Sequence, residues 1–417
     1  DRTNLDVSVK EQSTGSFQIG AGLSSADAFI VNFQIEQRNL LGRGQYLLLD
    51  LQGSTRTNRA RISFTEPYFL GRRLRAGFSV FANSTDFEEA GFVSDTIGAS
   101  TNMGFPISEF GSINLTYQLR KDDVTLERDT TLFLPEGSTD PNDLLVAGVS
   151  EDDFTIGTDA DSGRDFVTSD VCNFSSRQLD PSCESRGEFT TSQIGYALRF
   201  DRRNDPIVPS SGWRLDIGQS FAGIGGGVQY LRTTTRGSIY QRLPFNLVGA
   251  LKMDLGYIDG FGDDKVRLND RFFKGGNRGF RGFDVAGVGP RYFDSNGFDR
   301  AIGAKAYAIG TMEAELPLPV PQEYGIRASL FTDFGSVGIV DEQDKLLNLD
   351  SANFFDFDQD GILDPPVQDD FALRVSAGLS INWRSPFGPV QIDLAEAFIA
   401  EEYDEKQTFR FSAGGQF

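Results

Sequence analysis

The sequence predicts an all-β chain, a transmembrane antiparallel β-barrel of about sixteen strands, an even number as outer-membrane barrels have. Three observations predict it. Apolar and polar residues alternate with period two through segment after segment. Many segments run longer than the roughly 5–6 residues usual for soluble strands. The long connections all fall on one rim, and the short Pro- and Gly-bearing ones on the other.

Taken in order, strands are expected near 16–23, 28–38, 43–53, 58–66, 72–82, 92–105, 111–121, 189–201, 212–221, 228–242, 246–258, 303–316, 325–337, 371–384, 389–399 and 408–417. The fourth sets Ala60, Ile62 and Phe64 against Arg59, Arg61 and Ser63. The fifth sets Leu74, Ala76, Phe78 and Val80 against Arg73, Arg75, Gly77 and Ser79. In the seventh, Ile113, Leu115, Tyr117 and Leu119 alternate with Asn114, Thr116, Gln118 and Arg120. Successive strand residues face opposite sides, so each segment has one apolar face and one wet face. The same pattern returns from Ile194, Trp213, Leu247, Ile326 and Phe371 onward. With strands alternating up and down, connections 122–188, 259–302 and 338–370 share a rim. The other rim receives Pro67–Gly71, Pro106, Pro244, Pro317–Pro321 and Ser385–Pro389. In lipid such a sheet must close on itself, because no edge group can stay unpaired there.

Composition narrows the function. The 417 residues carry 60 acidic and 39 basic side chains, a net charge of -21, which argues against a nucleic-acid partner. There is no histidine, which removes Ser-His-Asp hydrolysis, histidine proton relays and His-ligated zinc. No run approaches the roughly 18–20 apolar residues of a membrane helix. The chain opens Asp1-Arg2-Thr3-Asn4-Leu5, without a charged start and apolar core, so a mature protein or an excised C-terminal domain is expected. An enzyme is not expected, and no cofactor.

The segment Arg271–Pro290 reads RFFKGGNRGFRGFDVAGVGP and lies in a long outer connection. Its glycines allow tight turns and close approach. Two readings stand side by side: a Gly-rich surface loop, or a loop folded into the lumen with Arg281 on acidic wall residues. By strand parity the acidic candidates are Glu313 and Asp333, and a guanidinium on carboxylates in a confined space is a strong contact.

The ordered set of local motifs resembles the C-terminal barrel of the BamA family of outer-membrane protein assembly factors, over nearly the whole chain. It comprises Val9-Lys10-Glu11-Gln12 with Gly15-Ser16-Phe17, then Arg38–Gly44, then Thr65-Glu66-Pro67-Tyr68-Phe69. Gly275-Gly276, Arg281-Gly282-Phe283 and Gly289-Pro290 follow in the outer connection. Asp333-Phe334-Gly335-Ser336-Val337, Trp383–Pro389 and Phe409-Arg410-Phe411-Ser412 complete it. The resemblance implies that the Arg281-Gly282-Phe283 motif sits inside the lumen, with Arg281 on Asp333 and secondarily Glu313. The family motif usually has a β-branched residue before that Arg; here it is Phe280. The resemblance also implies periplasmic POTRA domains before the barrel, with residues 1–15 as linker and 16–417 as barrel. It implies a place in the bacterial outer membrane. Implied partners are unfolded outer-membrane barrel proteins, accessory lipoproteins, periplasmic chaperones and the lipid bilayer. The C-terminal run Phe409, Phe411, Ala413 and Phe417 resembles the terminal signal of such barrels.

Closure requires the first strand to pair with the last. The expected seam residues are Phe17, Ile19, Gly20 and Gly22 against Phe411, Gly414, Gly415 and Phe417. Strand glycines weaken pairing; the alternative reading is that they only suit barrel curvature. A weak seam that parts exposes an edge able to template an incoming strand. Two loop features complete the reading. Asp356, Asp358, Asp360 and Asp364 resemble the start of a calcium loop, but Val367 stands where a Glu is usual, so a solvated acidic loop competes with it. Cys172 and Cys183 share one outer connection, which favours a disulfide in an oxidising compartment over free thiols. The function expected is an insertase for outer-membrane barrels. Its rivals are a two-partner secretion pore, a translocation-and-assembly barrel for autotransporters, and a passive porin, which needs an open lumen.

Overall fold

Alternation of face becomes a closed sheet. The computed structural model describes residues 14–126, 129–133, 155–158, 165–170, 183, 185–262, 265–276, 279–293, 299–341, 367–385 and 388–416. Sixteen antiparallel strands each pair with the next, and the last returns to the first. They are β1 (Gly15–Ser24), β2 (Ala28–Leu40), β3 (Gln45–Ser54), β4 (Thr57–Glu66), β5 (Arg75–Phe87), β6 (Phe92–Pro106), β7 (Gly111–Leu126) and β8 (Gly187–Asp201). There follow β9 (Gly212–Gly226), β10 (Tyr230–Arg242), β11 (Val248–Gly260), β12 (Ala306–Leu316), β13 (Ile326–Gly338), β14 (Arg374–Ser385), β15 (Gly388–Ile399) and β16 (Phe409–Gln416).

The two faces differ in chemistry. Leu251 and Met312 stand opposite each other on β11 and β12 and are both exposed, as is Leu330 on β13. Ile62, Val80, Ile97 and Leu119 continue that apolar belt on the outside of β4 to β7. The inward residues of β13 (Ser329, Phe331, Asp333 and Val337) are buried instead. Charges line that inner wall, where Arg199 meets Asp216 at 2.7 Å and Arg236 meets Asp254 at 3.3 Å across strand pairs.

The connections after β7, β11 and β13 are the long ones and share a rim, as the alternation of strands requires. They carry structure that a period-two pattern cannot reveal. Asp165–Asp170 pairs with both Asp129–Phe133 and Thr155–Thr158. Arg291–Phe293 lies between Asp299–Ala301 and Val367–Gln368, which ties the β11–β12 connection to the β13–β14 connection. β7 also continues past the expected end at 121. Asp122 stays on the inner face, accepting from Thr96 at 2.7 Å and pairing with Arg120 at 2.9 Å, while Val124 and Leu126 are buried. The interior on this side is a hydrophobic core. Phe272, Phe280, Phe283 and Val288 of the β11–β12 connection pack with Tyr307, Ile309 and Val337 of the wall.

Candidate functional site

Arg281 lies where the β11–β12 connection meets the inner face of β13. Its Nε and a terminal nitrogen donate to the two carboxylate oxygens of Asp333, both at 2.8 Å. Its backbone N–H donates to the same carboxylate at 3.1 Å, and Thr311 Oγ1 of β12 at 2.7 Å. Asp333 is 1% exposed, so the charge is removed from water and satisfied entirely by donors. The guanidinium also covers the ring of Phe331, 3.3 Å from its centroid. A two-pronged charge-assisted pair of this kind fixes orientation as well as position.

The neighbours of Arg281 explain the motif. Gly282 adopts φ +88°, and a side chain there would put its Cβ 2.9 Å from Cβ of Ser376 on β14. Ser376 Oγ in turn donates to the Arg281 carbonyl. Gly282 and Phe283 form a two-residue ladder with Lys406 and Gln407 from the β15–β16 connection. Phe280, where the family motif usually has a β-branched residue, is fully buried and meets Phe283 edge-to-face at 5.0 Å. An aromatic ring at this place therefore fills the core rather than disturbing it.

Glu313 is, as expected, secondary to Asp333: it acts on Arg281 as a nearby charge and takes its hydrogen bonds elsewhere. It accepts from Lys252 of β11 and, at 2.6 Å, from Ser329 of β13. The register gives the reason. Thr311, not Glu313, stands directly across from Asp333, and Glu313 faces Phe331 one inward step nearer the short-turn rim. That step is about 7 Å along a strand, enough for Lys252 to claim the carboxylate. Arg281, Asp333, Glu313, Lys252, Arg236 and Arg327 all border one cavity of ≈ 590 Å³.

Among the described residues β16 pairs with β1 from Gly20↔Gln416 to Ser24↔Ser412, and β13 and β14 pair from Ile326↔Trp383 to Gly335↔Arg374. The paired half of β1 is the half nearer the long connections, and Ser25 adds one bond there, its N–H to the Phe411 carbonyl at 2.9 Å. Phe17 and Ile19, nearer the short-turn rim, are exposed, and beyond Gly20 the register runs into residues outside the described ones. Gly20, Gly22, Gly414 and Gly415 all fall within the paired stretch, with Gly22 opposite Gly414 and Ala21 opposite Gly415. Gly22 is needed for close approach, since a Cβ would sit 2.7 Å from the Ala413 carbonyl and 2.9 Å from Gly414 Cα. Gly414 has open space at the same place. Phe411 pairs with Ile392 of β15, and Phe417 lies outside the described residues.

Residues 39–417 match the family model of the Omp85 superfamily domain. The chain belongs to the Omp85 superfamily. It is 25% identical over 415 residues to the outer membrane protein assembly factor BamA of Neorickettsia risticii, which covers 99% of this chain and 46% of that protein. The chain thus spans about half the length of that relative. Among solved structures it is similar to BamA of Haemophilus ducreyi lacking POTRA domains 1–3, with TM-score 0.74 and 24% identity over 98% of this chain and 71% of the other. CdiB from Acinetobacter baumannii is more distant, with TM-score 0.55 and 12% identity over 98% of this chain and 61% of that one. The BamA relatives matched over the whole chain, together with the apolar outer belt, place this Omp85 barrel in the bacterial outer membrane.

Sequence reasoning missed how firmly this Omp85 barrel fastens its last strand. Arg410 of β16, 5% exposed, donates to the Asp284 carboxylate at 3.1 Å and the Phe283 carbonyl at 3.3 Å. The backbone of the β15–β16 connection joins in: the Asp284 N–H donates to the Glu405 carbonyl and the Glu405 N–H to the Gly287 carbonyl, both at 2.9 Å. At the base of that connection Arg374 and Asp404, both fully buried, pair at 3.0 Å. Tyr403 accepts from Arg374 at 3.0 Å, and burial pushes its phenol up to about 12, leaving it a neutral partner. The sequence marked Arg410 only as part of the motif Phe409-Arg410-Phe411-Ser412, in which nothing names its partner.

Cys183 is disulfide-bonded, and Cys172, the only other cysteine, lies outside the described residues. Residues 1–13 and the calcium candidates Asp356, Asp358, Asp360 and Asp364 lie outside them as well.

Proposed function

We propose that this chain is the membrane barrel of an outer-membrane protein insertase. In this reading it accepts the strands of an unfolded barrel protein and releases them, folded, into the bilayer. The observation that carries it is the glycine-bearing β1–β16 seam, where Gly22 stands opposite Gly414 and Ala21 opposite Gly415. Strand glycines weaken such pairing, and an edge freed when the seam parts offers backbone donors and acceptors to an incoming strand, while alternate side chains supply register. The names of the curated relatives support the same reading. It requires no covalent chemistry, since folding of the client supplies the free energy. Accessory lipoproteins and periplasmic chaperones belong to the proposal as partners outside this chain.

A passive porin is disfavoured by one observation: Phe280 and Phe283 form a hydrophobic core against the inner wall, where a porin keeps water. A two-partner secretion pore would have to expel the Arg281 segment from Asp333 before a polypeptide could pass.

The test is folding of an unfolded barrel substrate in liposomes that hold the complete protein, read as a heat-modifiable gel shift. Folding well above that in empty liposomes supports the insertase. Solute flux without faster folding supports a pore.

A further inference from the structure

Three hairpins on the short-turn rim are closed in the same costly way. Leu41-Gly42 joins β2 to β3, Leu70-Gly71 joins β4 to β5, and Phe245-Asn246 joins β10 to β11, each with two successive residues at positive φ. Each is closed by the corresponding turn hydrogen bond, Arg43 N–H to Leu40, Arg72 N–H to Phe69 and Leu247 N–H to Pro244. The first position of such a turn favours Gly, Asn or Asp, because a larger side chain crowds the backbone in the left-handed region. Here Leu41, Leu70 and Phe245 stand at φ 53°, 57° and 63°.

The turn does not need these side chains, and neither does the fold. Leu41 is 81% exposed, Leu70 77% and Phe245 89%. Backbone strain held without internal packing points to contact with something outside the chain. The topology says what kind of surface it is. The β2–β3 and β10–β11 hairpins stand eight strands apart in a ring of sixteen, on opposite sides of the barrel. A protein partner seated on one arc of the rim would meet one and miss the other. A bilayer meets both. Ile207 and Tyr324, on two further short turns, are also exposed. Basic side chains stand beside two of the three strained residues: Arg43 follows Leu41, and Arg72 and Arg73 follow Leu70, all exposed, whereas Asp205 and Glu323 stand beside Ile207 and Tyr324. In a chain of net charge -21 this local pairing of apolar and cationic groups is suited to an anionic phospholipid surface.

We propose that the short-turn rim is a lipid-contacting ring. Leu41, Leu70 and Phe245 enter the boundary between headgroups and acyl chains of the facing leaflet, and Arg43, Arg72 and Arg73 meet its phosphates. The ring holds the barrel at fixed depth while the seam strands move. The proposal needs only the membrane barrel, not the insertase reading.

The test places a nitroxide at Leu41→Cys, Leu70→Cys or Phe245→Cys, one at a time, in the complete protein in vesicles of phosphatidylethanolamine and phosphatidylglycerol. Glu402→Cys on the opposite rim is the aqueous reference. At all three positions, collisions with a water-soluble nickel chelate are expected to be several-fold rarer than at the reference, and collisions with oxygen more frequent. Chelate access equal to the reference at Leu41 and Phe245 overturns the proposal. So does protection confined to one side of the barrel, which would indicate a protein partner. Phe245→Asn keeps a turn-favouring residue, so it is expected to fold normally while losing depth at a label on Leu41 or Leu70. Unchanged depth there also counts against the ring. Arg43, Arg72 and Arg73 changed together to Gln are expected to abolish any preference of the annulus for spin-labelled phosphatidylglycerol over phosphatidylcholine. Absence of that preference in the unmodified protein overturns the headgroup contact.

Discussion

Arg410 of the last strand holds Asp284 of the β11–β12 connection at 3.1 Å, three residues beyond the Arg281 that grips Asp333 at 2.8 Å. One short segment is therefore fastened both to β13 and to β16. The described residues of β1 have no comparable tie to it. If the seam parts, β16 stays with the lumen segment and β1 is the strand whose edge becomes available.

Loss of Arg410 tests that asymmetry. Arg410→Ala removes a buried cation and leaves the Phe283 carbonyl and the Asp284 carboxylate without its donors, a cost of about 1–3 kcal/mol. Asp284 is partly exposed and can rehydrate, which keeps the cost near the lower end. The expected outcome is a lower urea midpoint for loss of the heat-modifiable folded band, together with faster exchange of β16 amides. Amides of β14 should be unaffected.

Arg281→Ala is expected to cost more. It strands the Asp333 charge at 1% exposure with Thr311 and one backbone N–H as remaining donors. Breaking one partner of a buried pair costs about 3–5 kcal/mol. Adding Asp333→Asn should recover part of that loss, because the uncompensated charge goes with it. The check is a double-mutant cycle on the urea midpoint, and additive losses would mean that the two side chains do not act together.

How much of this was legible in the sequence follows from where each signal lives. The strands were legible because lipid and lumen impose opposite chemistry on alternate residues, as at Leu330 and Asp333. The Arg281–Asp333 pairing was legible only through the family resemblance, since strand parity offered Asp333 and Glu313 alike and left a surface loop open. Glu313 was legible as a secondary charge near Arg281, but its hydrogen bond from Lys252 was not, because parity gives the face of a residue and not its height on the wall. Arg410 was illegible, as its partner is 126 residues away with no local pattern linking them. The ladder of Gly282–Phe283 with Lys406–Gln407 was illegible for the same reason, since two residues carry no periodicity.

The two seam glycines should respond differently to substitution. Gly22→Val meets the Ala413 carbonyl and Gly414 Cα and is expected to push the seam strands apart, whereas Gly414→Ala has open space. Cross-linking yield between cysteines at the paired positions Leu23 and Ala413 measures this. It should fall sharply with Gly22→Val and little with Gly414→Ala.

The Arg374–Asp404 pair at the base of the β15–β16 connection is fully buried. Asp404→Ala is expected to lower stability by about 3–5 kcal/mol by leaving Arg374 without its carboxylate. Replacing both residues with apolar ones should cost much less. Urea titration of the two variants side by side is the check, and equal losses would assign the effect to packing rather than to charge.

In the proposed insertase, the β1–β16 seam must part for a client strand to enter. Leu23→Cys and Ala413→Cys stand directly opposite each other in the register. With the complete protein in liposomes, oxidation of this pair should reduce folding of an unfolded barrel substrate to the level of empty liposomes. Reductant should restore it, and the parent protein, whose own Cys183 disulfide is the control, should be indifferent to both treatments. A fully cross-linked seam that still folds the substrate at the reduced rate would contradict the account.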